Sequence, residues 1–458
     1  MNKFGLGAKP SDNVGNDPRG WLLDQLERFE ILPPPLRTQP SKAELMERLR
    51  SYSEAQKNSG KAGPPAMAAD TARAIQRQLQ QSYVDAASAR VTAATLTDAP
   101  FVERLVHFWS NHFAISADKQ NVQTLAGNYE FNAIRVHVLG NFHDLLTAAV
   151  THPAMMLYLD QTKSIGPRSP FGQRRARHET AGRKDGLNEN LAREIMELHT
   201  LGVRTGYNQT DVTEFARALT GWTIAGIGRE DMTGTAESGA SVFVDALHEP
   251  GSRTILGKSY AEGGAGQATA VLVDLSNNPA TAQHIATKLA RHFIADDPPS
   301  KAVARLKQAF LDSGGDLPTV YHALIDGPEG WSNATTKFRT PWDWVLAALR
   351  ATGDDGQTNA PSARGMLQQL GQPIWQPGSP AGWGDTAADW ASPGALLSRV
   401  ELAQRISGRV GDRLDARTLA KTALADALTP ATIAAIDQSE QSTLGLALLL
   451  ASPEFMRR

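Results

Sequence analysis

Two segments of this chain carry side chains able to do acid–base or metal chemistry, and each sets them beside an apolar helical face. In Asn188-Glu-Asn-Leu-Ala-Arg-Glu-Ile-Met-Glu-Leu-His-Thr-Leu-Gly202, a turn of about 100° per residue aligns Leu187, Leu191, Ile195 and Leu198 as one stripe. Glu194 falls on the edge of that stripe, with Asn190 and Glu197 on the same shoulder. His199 falls on the far flank, roughly 140° from Glu194. A helix that only fills a core does not need so many polar groups beside its buried face. Asn190, Glu194 and Glu197 either converge on one cation, with a carboxylate as general base, or meet Arg193 or Arg217 in a buried network that positions helices. Glu197-x-His199 is not a same-face pair and differs from the Glu-x-x-His of di-iron bundles, so the spacing names no metal.

The second segment is Arg104-Leu-Val-His-Phe-Trp-Ser-Asn-His-Phe113. Phe101, Leu105, Phe108 and His112 stack on one face, so His112 points into the interior. His107 lies nearly opposite, with Arg104 and Asn111 on a polar shoulder. At this spacing the two histidines do not easily share a metal from one helix. His112 is either a core histidine satisfied by one hydrogen bond or a ligand or acid–base group.

Three further groups bear on binding. The stretch from Asp160 to Asp185 is basic, with Arg174, Arg175 and Arg183 among its cations, and reads as a loop. Feeding a helix N-terminus, it suits a phosphate, sulfate or carboxylate; the other reading is a solvated surface loop. Phe171 is its single aromatic residue, which argues against a base-stacking nucleic-acid groove. Trp375, Trp383 and Trp390 lie in a Pro- and Gly-rich loop, where Trp383 either stacks on a sugar or pins the loop to the core. His248, in a β-prone region, either approaches the helical cluster or closes a turn.

The elements that must position these groups are mostly helices. Apolar residues recur at helical spacing from Gly20 to Ala451, and Asp211-x-x-Glu214 resembles a capping box. Between Ile224 and Gly266 the pattern shifts to Ser241-Val-Phe-Val-Asp245 and Arg253-Thr-Ile-Leu256, read as one small hairpin. The expected fold is mainly α: a multi-helix single large domain with a small β-hairpin insertion. Its parts are a helical arm over 1–65, a helical core with the His/Glu motifs over 66–223, the hairpin over 224–265, and a C-terminal helical half over 266–458.

Composition narrows the chemistry. The 458 residues are 41% hydrophobic and 21% charged, with a formal charge of -2, which gives no reason to expect nucleic acid or a membrane surface. The absence of cysteine removes disulfides, thiolate metal sites and cysteine nucleophiles. No apolar run approaches the ~18 residues of a membrane span, and the first residues lack the apolar stretch of a secretory signal. As given, the sequence points to the cytoplasm, with export alongside a partner as the alternative.

Several stretches, in order, resemble the bacterial domain-of-unknown-function family numbered 1800. They are Asn2-Lys-Phe-Gly-Leu-Gly-Ala8, Phe108-Trp-Ser-Asn-His-Phe113, His152-Pro-Ala-Met-Met-Leu-Tyr-Leu-Asp160 and the helix Asn188 to His199. Asp211-Val-Thr-Glu-Phe-Ala-Arg-Ala-Leu-Thr-Gly-Trp222, Lys337-Phe-Arg-Thr-Pro341 and Ser452-Pro-Glu-Phe455 continue the series. The resemblance implies one long, mainly helical domain and little about chemistry. Members often stand beside a second unknown family, numbered 1501, that resembles sulfatases and alkaline phosphatases. That neighbourhood suggests export or modification of an envelope polymer or protein. One departure is His248-Glu249, where the family pattern leads us to expect His-Asp.

Two functions follow as expectations. One is a metal-dependent hydrolase or transferase acting on an anionic envelope polymer or protein. It would use His112, Glu194 and Glu197 as catalytic groups, and a divalent metal ion held by His112, Glu194, His199 and His248. Arg174, Arg175, Arg183, Asn190 and Trp383 would bind substrate. The other is a non-catalytic assembly or maturation partner of the phosphatase/sulfatase-like protein of family 1501.

Overall fold

A computed structural model of the chain describes residues 1–59, 65–178, 186–227, 232–331, 337–353 and 360–458. Helices dominate, and proline fixes many of their starts. Pro100, Pro153, Pro279, Pro341, Pro393 and Pro430 each open a helix, where a missing N–H costs nothing. Asn278 and Thr340 cap two of these, accepting from the backbone N–H groups of Ala280 and Asp343.

Two helices form the axis of the core. Pro100–His112 is buried along almost its whole length, and Pro341–Ala351 along all of it. Their polar residues are therefore interior too. The shoulder of Arg104 and His107 is sealed, with Arg104 1% and His107 8% exposed. Buried polar groups need partners. Arg104 Nη1 donates to the Gly5 carbonyl at 2.8 Å, and the Trp342 indole N–H donates to His107 Nδ1 at 3.0 Å. Arg350 is tied to the carbonyls of Gly7, Ala94 and Thr95, which fastens the first residues onto the same axis.

The β structure is two ribbons. β1 (Trp222–Ile224) pairs antiparallel with β2 (Ser241–Phe243), and β3 (Arg253–Ile255) pairs antiparallel with β4 (Lys258–Tyr260). The two β-prone runs predicted to form one hairpin thus take different partners. Leu256 and Gly257, at φ 51 and 76, close β3 onto β4 in a two-residue turn with both central residues left-handed. β2 instead leads into a 3-10 turn at Asp245–Leu247. The capping box of the Gln209–Leu219 helix also lies earlier than predicted: Asn208 is the cap and Asp211 its reciprocal partner. The basic stretch holds a helix, Pro170–His178, rather than a continuous loop.

Candidate functional site

The side chains singled out by sequence do not meet at one point. His112 is buried and its Nε2 donates to the His199 carbonyl at 3.1 Å; that oxygen can only accept, so Nδ1 carries the lone pair and has no partner. The His199 ring lies 6.2 Å from that of His112, fully buried, with neither nitrogen hydrogen-bonded. His248 is elsewhere: its Nδ1 donates to the Thr220 carbonyl at 2.8 Å, and Glu249 beside it holds Arg168 at 2.7 Å, so this pair closes a turn. Glu194 and Glu197 are only half-buried, and burial, then Glu197, pushes the Glu194 carboxyl up. Arg193 pairs with Glu189 at 3.0 Å and Arg217 with Glu214, so neither answers that pair. Among the described residues, no three His, Asp or Glu side chains gather as a metal-ligand set.

The predicted anion binders are also dispersed. Arg174 is exposed, and Arg175 half-buried, on the Pro170–His178 helix; Asn190 is exposed at the start of its own helix. Arg183 lies outside the described residues.

The misplacement of His199 has a local cause. The helix runs as α over Asn190–Glu194 and then as a π-turn over Ile195–His199. A π-turn inserts an extra residue per turn and rotates everything after it. The buried row is therefore Leu191, Ile195 and His199, while Leu198, which a regular wheel places inside, is only half-buried.

What the fold does build is a cavity of about 350 Å³ between Pro100–His112, Pro279–Phe293 and the tryptophan loop. His112 and Trp383 line it; Glu194, Glu197, His199 and His248 do not. Two rows of side chains run along its helical walls. Lys288 and His292 line it four positions apart, with His284 one turn back and outside the lining, and His112, Phe108 and Arg104 line it at the same interval. The ends of the rows meet: His112 and His284 rings lie 6.0 Å apart, and Arg104 Nε donates to His292 Nε2 at 3.1 Å.

That last bond fixes the histidine. Arg104 can only donate, so Nε2 accepts and the proton of His292 sits on Nδ1, facing Asp385 Oδ2 at 2.8 Å. Asp385 is surrounded by cations. Lys337 Nζ donates to its backbone carbonyl and lies 3.6 Å from Oδ1, and Arg458 lies 3.6 Å from the same oxygen. Burial pushes the Asp385 carboxyl up, but His292, Lys337 and Arg104 outweigh it and hold the group below the usual carboxylate range. Asp343 is likewise matched, to Arg104 and Arg458 at 3.2 Å each, and Asp296 to Lys337 at 2.5 Å.

With those carboxylates matched, two cavity cations are left over. Lys288 makes no hydrogen bond or close ion pair among the described residues, although it lies on the cavity wall. Burial lowers its ammonium to about 8, with Asp385 opposing the shift and Arg291 adding to it. Arg291, one turn on and exposed, spends Nε on the Asp296 carbonyl at 3.2 Å, and the rest of its fork meets no acceptor among the described residues. Around Lys288 the histidines are neutral. Burial, then Lys288, holds His112 well below its ordinary value and lowers His199 to about 3 and His284 to about 4.

The third wall is aromatic. Trp375 and Trp390 are buried, so the loop is pinned to the core; Trp383 is half-buried with its ring 5.9 Å from Trp390. Asn111 clamps Trp383 in both directions, its Nδ2 donating to the Trp383 carbonyl at 2.9 Å and its Oδ1 accepting from the Trp383 N–H at 2.7 Å. Trp375 sits at φ 53, an uncommon conformation for a bulky residue, and its indole N–H donates to Glu130 at 2.7 Å. Arg90 stacks over Trp342 at 4.0 Å and is paired to Glu130.

Sequence reasoning passed over Lys288, His292 and Asp385. The available signal was the four-residue repeat of His284, Lys288 and His292 beside the buried Ala, Ile and Leu face of its helix. Among the described residues, no helix is long and apolar enough to cross a membrane. Compared with known proteins, the chain matches no curated protein and no solved structure. One family model, described as a protein of unknown function, DUF1800, matches residues 1–457. The chain, with its Lys288 cavity, belongs to the DUF1800 family.

Proposed function

We propose that this protein is a hydrolase or transferase whose anionic substrate enters the cavity between Lys288, His292 and Trp383. The observation that carries the reading is Lys288: a half-buried ammonium on the cavity wall, with no acceptor among the described residues. Desolvating a charge without a partner is costly, and folds retain such groups where a ligand supplies the missing charge. Arg291 stands beside it with a free guanidinium edge suited to carboxylate or phosphate. Lys288, lowered to about 8, exchanges protons near neutral pH and is the acid–base group in this reading. The His292–Asp385 pair sets its electrostatic surroundings rather than attacking substrate, because both ring nitrogens are engaged. The half-buried Trp383 offers an apolar face to the rest of the substrate.

Thermal unfolding in graded orthophosphate, sulfate or citrate tests the anion site. A ligand at 100 times its dissociation constant adds about 2.7 kcal/mol to stability. A saturable rise in melting temperature is expected for the wild type, and its loss in Lys288→Met and Arg291→Ala. Equal shifts in all three proteins would sink the reading.

The other reading, a non-catalytic partner of a phosphatase- or sulfatase-like protein, has one observation in its favour. Leu396, Leu397 and Val400 stand exposed together on the Pro393–Val410 helix, with Leu397 60% accessible.

A further inference from the structure

The cavity has a polarity that anion binding alone does not use. An amine that needs only to attract an anion works best fully charged and hydrated. Lys288 is instead placed where its charge is disfavoured: it extends from the Pro279–Phe293 helix onto a cavity wall shared with His112 and Arg291, and burial lowers it to about 8. The groups acting on it are Asp385 first, then Arg291, with the imidazoles of His112, His199 and His284 neutral, and the Asp385 charge is already shared by Lys337 and Arg458. No hydrogen bond to a described residue occupies the Lys288 nitrogen, so its lone pair, once the proton leaves, is free to attack. Arg291, exposed one helical turn on, lines the same cavity, so a substrate whose carboxylate or phosphate it holds brings its neighbouring carbon into the space the amine enters.

We propose that Lys288 forms an imine with the carbonyl group of an anionic aldehyde or ketone, a 2-oxo acid being the simplest example, with Arg291 holding the anionic end. This rests on the preceding reading of the cavity as an anion site and narrows its chemistry to covalent lysine catalysis. The Nζ lone pair forms the C–N bond as the carbonyl π pair moves onto oxygen. One proton passes from nitrogen to that oxygen. The oxygen takes a second proton from solvent and leaves as water, while the nitrogen lone pair closes the C=N bond. No electrons are gained or lost, and the products are a protonated imine and one water. The protonated imine is an electron sink for the adjacent carbon, which is what group transfer at that carbon requires.

Reductive trapping tests this on the full chain. The protein is treated with glyoxylate and sodium cyanoborohydride at pH 8, and adducts are mapped by peptide mass. An amine lowered to about 8 is half uncharged there, whereas an ordinary lysine near 10.4 is mostly charged. Lys288 is therefore expected to label at least about tenfold faster than surface lysines. Orthophosphate should slow that labelling. Arg291→Ala should slow trapping of glyoxylate more than trapping of acetaldehyde, which has no anionic end, and this comparison stands even if Lys288→Met folds poorly. Labelling spread over surface lysines with Lys288 no faster than the rest overturns the imine. If orthophosphate still raises the melting temperature in that case, the anion site survives and only the covalent step fails; loss of both removes both.

Discussion

His292 is held from both sides: its Nδ1–H faces Asp385 at 2.8 Å while its Nε2 accepts from Arg104 at 3.1 Å. The arrangement satisfies both ring nitrogens, and the Asp385 carboxylate that accepts from the ring is also the shared counter-charge of Lys337 and Arg458. Asp385→Ala strips that charge from cations that are themselves only 1% exposed. Removing one partner of a buried pair costs about 3–5 kcal/mol when the other is left unpaired; here Lys337 keeps Asp296 and Arg458 keeps Asp343. Urea unfolding of Asp385→Ala is therefore expected to show a smaller loss, about 1–3 kcal/mol, with Asp385→Asn losing less because it retains a hydrogen-bond acceptor. A change no larger than the ~0.5 kcal/mol of an ordinary surface substitution would remove the electrostatic role assigned here.

His199 should make the protein acid-sensitive. Its folded value is lowered to about 3 by burial, Lys288 and His284, while an unfolded histidine titrates near 6.5. Between those two values the unfolded state binds the extra proton, so stability is fully present above about pH 6.5 and declines as pH falls toward 3. One such group contributes a slope of up to about 1.4 kcal/mol per pH unit. His152, also lowered to about 3, adds to the same slope from a different part of the core. Stability measured by urea at several pH values should fall less steeply in His199→Leu than in the wild type. Parallel curves would mean that His199 is protonated in the folded protein.

Gly382 sets the pose of Trp383. Its φ is 82, and a Cβ there would collide with the carbonyl oxygen of Asn111. Gly382→Ala combines a left-handed backbone penalty with that collision, together about 1–3 kcal/mol. Because Asn111 also holds both backbone groups of Trp383, the substitution should displace the indole toward solvent. A red shift of tryptophan emission and weaker anion binding are the expected readouts. Unchanged emission with unchanged binding would show that the clamp does not control the aromatic wall.

The helical character of the fold was legible because it is written locally. Proline at first positions, Asn and Thr caps and the 3.6-residue period each act within a turn. Pairing between the β runs was not, since it depends on where Gly221, at φ 95, and the Leu256–Gly257 turn redirect the chain. The cavity was legible only in part. His112 and Trp383 stand out by residue type, and both line it. Glu194 and Glu197 stood out as strongly and lie elsewhere, half-buried on a helix that does not line the cavity; the π-turn begins only after Glu194 and explains the placing of His199 instead. Lys288, His292 and Asp385 look like ordinary polar residues of an amphipathic helix and a loop; only tertiary structure shows that the first lacks a partner and the other two are matched.

The walls of the cavity are far apart along the chain. Arg104 and Asp343 are separated by 239 positions, and His292 and Asp385 by 93. Closing such distances costs chain entropy that only the finished contacts repay. A ribosome that has released the first three hundred residues has thus delivered Lys288 without its aromatic wall or its neighbouring carboxylate. The cavity around this amine is therefore complete only once the tryptophan loop has folded back onto the earlier helices.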